Sequence, residues 1–220
     1  MIWIIKFFLA FSSMAYALLV AQSLAGFSQN SVLCYGVCFG LFLFSMSLSP
    51  VLIERYLKNP SRTLWSVQLI LLFVGILGIS GFFLVDHWRW GHGALWVWAC
   101  LIIAIIGCIA GAVSPLLVKI SLEKKLIPSA AILSADYAGS FLGSVVFVFL
   151  LYSLTGIIQA VFFVAALNAM CGVMILALMK HEGKALRFHR VAQNVILLAM
   201  MGMLRFWALI ESVLIKFYTG

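Results

Sequence analysis

The sequence predicts an all-α, polytopic transmembrane helix bundle of about seven helices. Three observations carry this. Of 220 residues, 65% are hydrophobic and only 9% are charged, whereas a soluble domain is about 45–50% apolar and roughly 25% charged. Mean hydropathy is +1.20. The apolar residues gather into seven runs, each about 20 residues long, enough to cross ~30 Å of hydrocarbon as a helix. So little charge cannot cover a water-facing surface, which excludes a soluble domain, a disordered tail and a secreted disulfide scaffold. Open sheet is excluded because lipid offers its edges no partners. The runs also lack the short alternation of a membrane barrel. Seven helices and their loops occupy roughly 150–200 residues, so residues 1–220 read as a single integral membrane domain with no room for a sizeable soluble one.

The first run, Ile2–Ala25, contains Lys6. Its apolar stretch is too long for a cleaved signal and begins before the lysine, so it reads as a retained helix. Ser13, Ala17, Ala21 and Ala25 form a small-residue stripe along it. The second run, Ser31–Ile53, carries Gly36-x-x-x-Gly40, and the third is Leu64–Val85. The fourth, Ala94–Ile120, carries Gly107-x-x-x-Gly111 and then Pro115, which removes one backbone hydrogen bond and kinks the helix. The fifth, Ala130–Tyr152, carries Gly139-x-x-x-Gly143, and the sixth is Ile157–Met179. Lipid gives helices no hydrophobic reason to associate, so these small faces are expected to pack against neighbouring helices within the bundle; a dimer interface is the alternative.

The seventh run, Asn194–Ile215, is less apolar than the rest. Arg205 at its middle costs roughly +2.5 to +3.5 kcal/mol, against about −0.3 to −0.6 for each central Leu, Ile, Val or Phe. Crossing is favoured narrowly. Asn194, Arg205 and Lys216 recur every eleven residues, with Ser212 beside them. This polar stripe either faces the bundle or lies among headgroups.

The net charge is +8. The basic residues flank apolar runs without interleaved aromatics, which argues for topology setting and against nucleic-acid binding. Counting Lys6, eleven basic residues fall at the N-terminus and in the segments after the second, fourth and sixth runs; the alternate loops hold Arg89 alone. This places the N-terminus in the cytoplasm of a bacterial inner membrane, and the C-terminus in the periplasm if the seventh helix crosses. The five cysteines all lie in apolar runs without C-x-x-C spacing, so they read as free, buried thiols. His87 and His92 lack a third ligand in sequence, so no metal site is expected. Trp65, Trp88, Trp90, Trp96 and Trp98 read as an aromatic belt.

Asp136 is the sharpest single residue, about two turns into the fifth helix. An ionisable group there should face protein or a wet cavity. It is either a proton or cation site, or a structural carboxyl that fixes helix packing, with Arg205 as a candidate partner. Gln68 and Asn168 join these two as candidate intramembrane polar residues. Such amides most often hydrogen-bond between helices, a substrate path being the alternative. No Walker loop, G-x-S-x-G, H-E-x-x-H or strand-linked G-x-G occurs. Neither catalytic residues nor a cofactor is expected.

Several of these segments resemble the membrane-bound spermidine synthase-like family. Gly40–Ser49 (GLFLFSMSLS) resembles a second-helix segment of that family, and Gly111–Leu117 (GAVSPLL) its G-x-E-x-P-L segment. Ala135–Ser144 (ADYAGSFLGS) is similar to its A-x-D-Y-x-G-A-x-x-G segment, and Leu167-Asn168 to the L-N of the next helix. The likeness runs over about Phe8–Tyr218. In that family a multi-helix membrane domain precedes a soluble aminopropyltransferase domain of Rossmann type, which holds the chemistry. The resemblance therefore implies a stand-alone membrane domain and no enzyme. This chain departs from the family pattern at Ala17, Gln68 and Val113, where the family has carboxylates, and at Ser45, Ser47 and Ser49, where it has glycines.

Together these readings give a non-catalytic polytopic protein in contact with membrane lipid and other membrane subunits. Two alternatives stand beside it. One is a transporter for a cationic amine or a proton-coupled solute; the other is a membrane partner of a separately encoded aminopropyltransferase.

Overall fold

The computed structural model describes residues 1–28, 30–53, 60–88, 91–178 and 185–206. These residues form helices and no strands: α1 (Ile2–Phe27), α2 (Ser31–Ile53), α3 (Pro60–His87), α4 (His92–Lys124), α5 (Ser129–Val146), α6 (Tyr152–Leu178) and α7 (Ala185–Arg205), with a π-helical turn, Phe147–Leu151, joining α5 to α6. An all-α bundle of membrane-spanning helices is what the composition requires.

Ser129–Leu178 forms 50 residues of nearly continuous helix, about 75 Å if straight and far longer than one bilayer crossing. Gly156 breaks it. Its φ of 75° and ψ of 177° lie in a region open essentially to glycine alone. The break falls in the sequence-predicted Ser153–Gly156 loop and divides the stretch into two shorter helical lengths.

Side-chain pairings give the helix directions. Gly139 lies against Phe7 and Gly143 against Phe11, so α1 and α5 are parallel. Gly107 lies against Phe42 and Ser45, and Gly111 against Met46 and Ser49, so α2 and α4 are parallel as well. Gly78 meets Ile102 while Gly81 meets Trp98, so α3 and α4 are antiparallel. The Lys124 ammonium donates to the Leu178 carbonyl at 3.1 Å, which brings the ends of α4 and α6 together and satisfies a terminal acceptor of α6.

The core sits around α1, which packs against α2, α3, α4, α5 and α6. Ser13, Ala17 and Ala21 are buried with its large apolar residues. The run that most resembles a signal sequence is thus the hub of the bundle. Two of the three G-x-x-x-G motifs seat helices within the chain. A Cβ on Gly139 would strike the Phe7 carbonyl, and one on Gly143 would lie 2.8 Å from that of Phe11. A Cβ on Gly111 would strike the Met46 carbonyl and come within 2.8 Å of Ser49 Cβ. Ser49 then donates its hydroxyl to the Cys108 carbonyl. The expectation of internal packing fails for the third motif: Gly36 and Gly40 face outward, and a Cβ added to either would meet nothing within 4 Å among the described residues. The reason is rotational. α2 turns Cys34, Cys38, Phe42, Ser45 and Ser49 inward, which puts the glycines on its other side.

α7 also departs from its expected register. The helix begins at Ala185, nine residues before the apolar run, so Arg205 stands at its end and is exposed. Asn194 is exposed too, so this part of the polar stripe faces away from the bundle. Ser212, Lys216 and the rest of the seventh run lie outside the described residues. The apolar part of α7 within them, Val191–Arg205, is shorter than the other spans. Trp98 leaves the expected aromatic belt for the α3–α4 seam, where its indole N–H donates to the Gly78 carbonyl at 2.8 Å. Trp90 and the basic residues Arg55, Lys58, Arg89, Lys180 and Lys184 lie outside the described residues.

Candidate functional site

An ion pair inside the membrane-spanning region is the strongest electrostatic feature among the described residues. The Lys6 ammonium lies 2.8 Å from Asp136 Oδ1, and both side chains are buried. Ser114 Oγ donates to Oδ2 of the same carboxylate at 3.0 Å. Three helices meet here, and local sequence explains how. Gly139 lets α5 close on the backbone of α1 one turn from Asp136. Ser114 comes from α4 immediately before Pro115, a position where the helix lacks one backbone hydrogen bond.

A carboxylate or ammonium alone in this setting is expensive. Paired and hydrogen-bonded, each supplies the other's missing partner. The arrangement therefore holds α1, α4 and α5 together. Arg205, the partner suggested by sequence, is exposed on α7; the charge facing Asp136 comes from Lys6 instead. Sequence position alone groups Lys6 with the cytoplasmic loop charges. Removing it from that group leaves the basic asymmetry intact, because the remaining ten residues still lie in the same segments.

Gln68 and Asn168 are brought together. The Gln68 amide donates to the Asn168 backbone carbonyl at 2.9 Å, joining α3 to α6. They do not join Asp136. Tyr16 and Gln193, both fully buried, belong to their level of the bundle, and Gln193 donates to the Ala169 carbonyl at 2.9 Å. A third polar level uses Gln22, which accepts from the Tyr35 hydroxyl and donates to that of Tyr152 at 2.8 Å.

Lys6, Ser114, Tyr16 and Gln193 escape a sequence-based choice of site residues. For Lys6 the signal is present: it is a lysine inside an apolar run, just as Asp136 is an acid inside another, and intramembrane charges tend to pair with one another. The other three are ordinary polar residues in apolar runs, and nothing in their spacing singles them out. The positions where the family resemblance expects carboxylates, Ala17, Gln68 and Val113, are all buried. Neutral residues there let the helices close without further counter-charges.

Comparison with known proteins agrees with the sequence motifs at a coarse level. The chain is 27% identical over 169 residues to a polyamine aminopropyltransferase of Oceanobacillus iheyensis, covering 74% of this chain and 32% of that protein. It is 25% identical over 183 residues to polyamine aminopropyltransferase 2 of Streptomyces coelicolor, covering 78% of this chain and 33% of that protein. No family profile matches the chain. No solved structure matches it either. The chain is thus weakly similar, over about three-quarters of its length, to aminopropyltransferases about a third of whose length it spans.

Proposed function

We propose that this protein is a non-catalytic integral membrane protein that serves as a subunit or anchor of a membrane complex. The observation that carries this reading is the use of Asp136 by the fold itself. Its two oxygens are engaged by Lys6 and Ser114, so it does not await a cationic substrate as its counter-ion. The carboxamide contacts, Gln22 with Tyr35 and Tyr152, Gln68 with Asn168 and Gln193 with Ala169, also join helices to helices. The outward Gly36–Gly40 face of α2 supports a partner role, because small residues allow another helix to approach closely. The basic segments support placement in a bacterial inner membrane, with the N-terminus in the cytoplasm and the C-terminus in the periplasm. A reporter fused at Gly220 tests that orientation.

The test of the function is co-purification of the tagged full chain in mild detergent. A partner should be retained by the native protein and lost from the Gly36→Leu/Gly40→Leu variant, whose fold should be unchanged. A monodisperse monomer without partner across several detergents would overturn the proposal.

The similarity to aminopropyltransferases favours one particular partner, a separately encoded soluble enzyme of that class docked on the cytoplasmic segments. Co-expression with candidate synthases and recovery of activity in the membrane fraction distinguishes this reading from a general scaffold. Transport of a cationic amine predicts instead that proteoliposomes show a flux abolished by Asp136→Asn.

A further inference from the structure

Four buried polar side chains reach one level of the bundle from four helices: Tyr16 of α1, Gln68 of α3, Asn168 of α6 and Gln193 of α7. All four are 0% exposed. The Gln68 and Gln193 amide nitrogens donate to the backbone carbonyls of Asn168 and Ala169, each at 2.9 Å. A carbonyl can only accept, so these bonds fix which end of each carboxamide is nitrogen. Both Oε1 atoms are therefore acceptors, and neither has a hydrogen-bond partner among the described residues.

Both carboxamides close on Gly172. A Cβ there would lie 2.6 Å from Gln68 Oε1 and collide with the Gln193 amide. The Tyr16 hydroxyl lies near the Asn168 side chain, and among the described residues neither that hydroxyl nor either end of the Asn168 carboxamide has a hydrogen-bond partner. Among the described residues, five polar atoms from four helices are thus without a partner in a region with no access to solvent. Native proteins rarely leave such groups unsatisfied, since each costs the desolvation of a polar atom.

We propose that this cluster is an interior binding site for a neutral, water-sized molecule that both donates and accepts hydrogen bonds, namely water. The two open oxygens of Gln68 and Gln193 match the two O–H donors of a single water. The Asn168 amide and the Tyr16 hydroxyl can donate in return. Charge decides against a cation: the cluster contains no carboxylate, and Asp136 is engaged by Lys6. A buried cation without counter-charge is strongly disfavoured. The site gives α7 a polar anchor to α1 and α3 in addition to its packing on α6.

Pulsed radiolytic hydroxyl labelling of the full chain in mild detergent, read by peptide mass spectrometry, tests this, because bound water generates the label where it sits. Phe82 is the reference, since it is as buried as Tyr16, at 0% exposure. After correction for intrinsic reactivity, Tyr16 should label severalfold faster than Phe82. In Gln68→Leu/Gln193→Leu its rate should fall to that of Phe82. A native Tyr16 that labels no faster than Phe82 overturns the proposal, and so does an unchanged rate in a folded variant. If the double variant does not fold, the native comparison decides alone.

Discussion

Replacing Lys6 by methionine keeps a long, flexible stem in the bundle and removes only the charge. Asp136 then keeps the single hydrogen bond from Ser114 at 3.0 Å and loses the ammonium that stood 2.8 Å away. Breaking a buried pair on one side costs roughly 3–5 kcal/mol, because the surviving charge is left without compensation. For a chain of this size each kcal/mol moves Tm by about 2–4 °C, so the melting temperature should fall by roughly 6–20 °C. Removing both charges, as Lys6→Met/Asp136→Leu, should restore most of that loss, since apolar replacements of a whole buried pair are often neutral or stabilising. The assay is thermal unfolding of the purified protein in mild detergent, run as a double-mutant cycle on Lys6→Met, Asp136→Leu and the pair. Single variants that each cost less than about 1 kcal/mol and combine additively would refute the claim that this ion pair holds the fold.

Gly111→Leu should lower Tm clearly, by the roughly 1–3 kcal/mol typical of overpacking, because even its Cβ meets the α2 backbone; Gly40→Ala, on the open side of α2, should stay within about ±0.5 kcal/mol in the same melt. Gln22→Leu removes the link between Tyr35 and Tyr152 and should cost about 0.6–2 kcal/mol in unfolding experiments, the range of interhelical hydrogen bonds in membranes. Arg205→Ala should leave the Lys6–Asp136 coupling energy unchanged in the double-mutant cycle, because Arg205 stands exposed at the end of α7. Gly156→Ala should be destabilising by about 1–3 kcal/mol, since a φ of 75° with ψ of 177° is strained for any residue with a Cβ; an unchanged melt would mean that the break between the fifth and sixth crossings tolerates another backbone conformation.

The solvent of this protein was legible from its residues alone. Partition into a bilayer depends on hydropathy summed over about 20 consecutive residues, so an all-helical membrane bundle and the loop at Gly156 could be read along the chain, while the start of α7 could not. The glycine motifs could be read as close-packing surfaces for the same local reason. Which surface each would meet could not. Gly107 and Gly111 receive α2 while Gly36 and Gly40 face outward, and that difference depends on how far each helix is rotated about its own axis. Small-residue spacing is the same in both cases and carries no information about rotation.

The partner of Asp136 was hidden for a related reason. Lys6 and Arg205 are both basic, and sequence spacing does not report distance between separate helices. Only the parallel packing of α1 on α5, allowed by Gly139 and Gly143, sets the lysine against the carboxylate. Residue composition decided that these helices lie in lipid. The packed bundle alone decided which polar groups meet there, because in a solvent that rewards every apolar face alike, direction comes from backbone fit and a few buried hydrogen bonds.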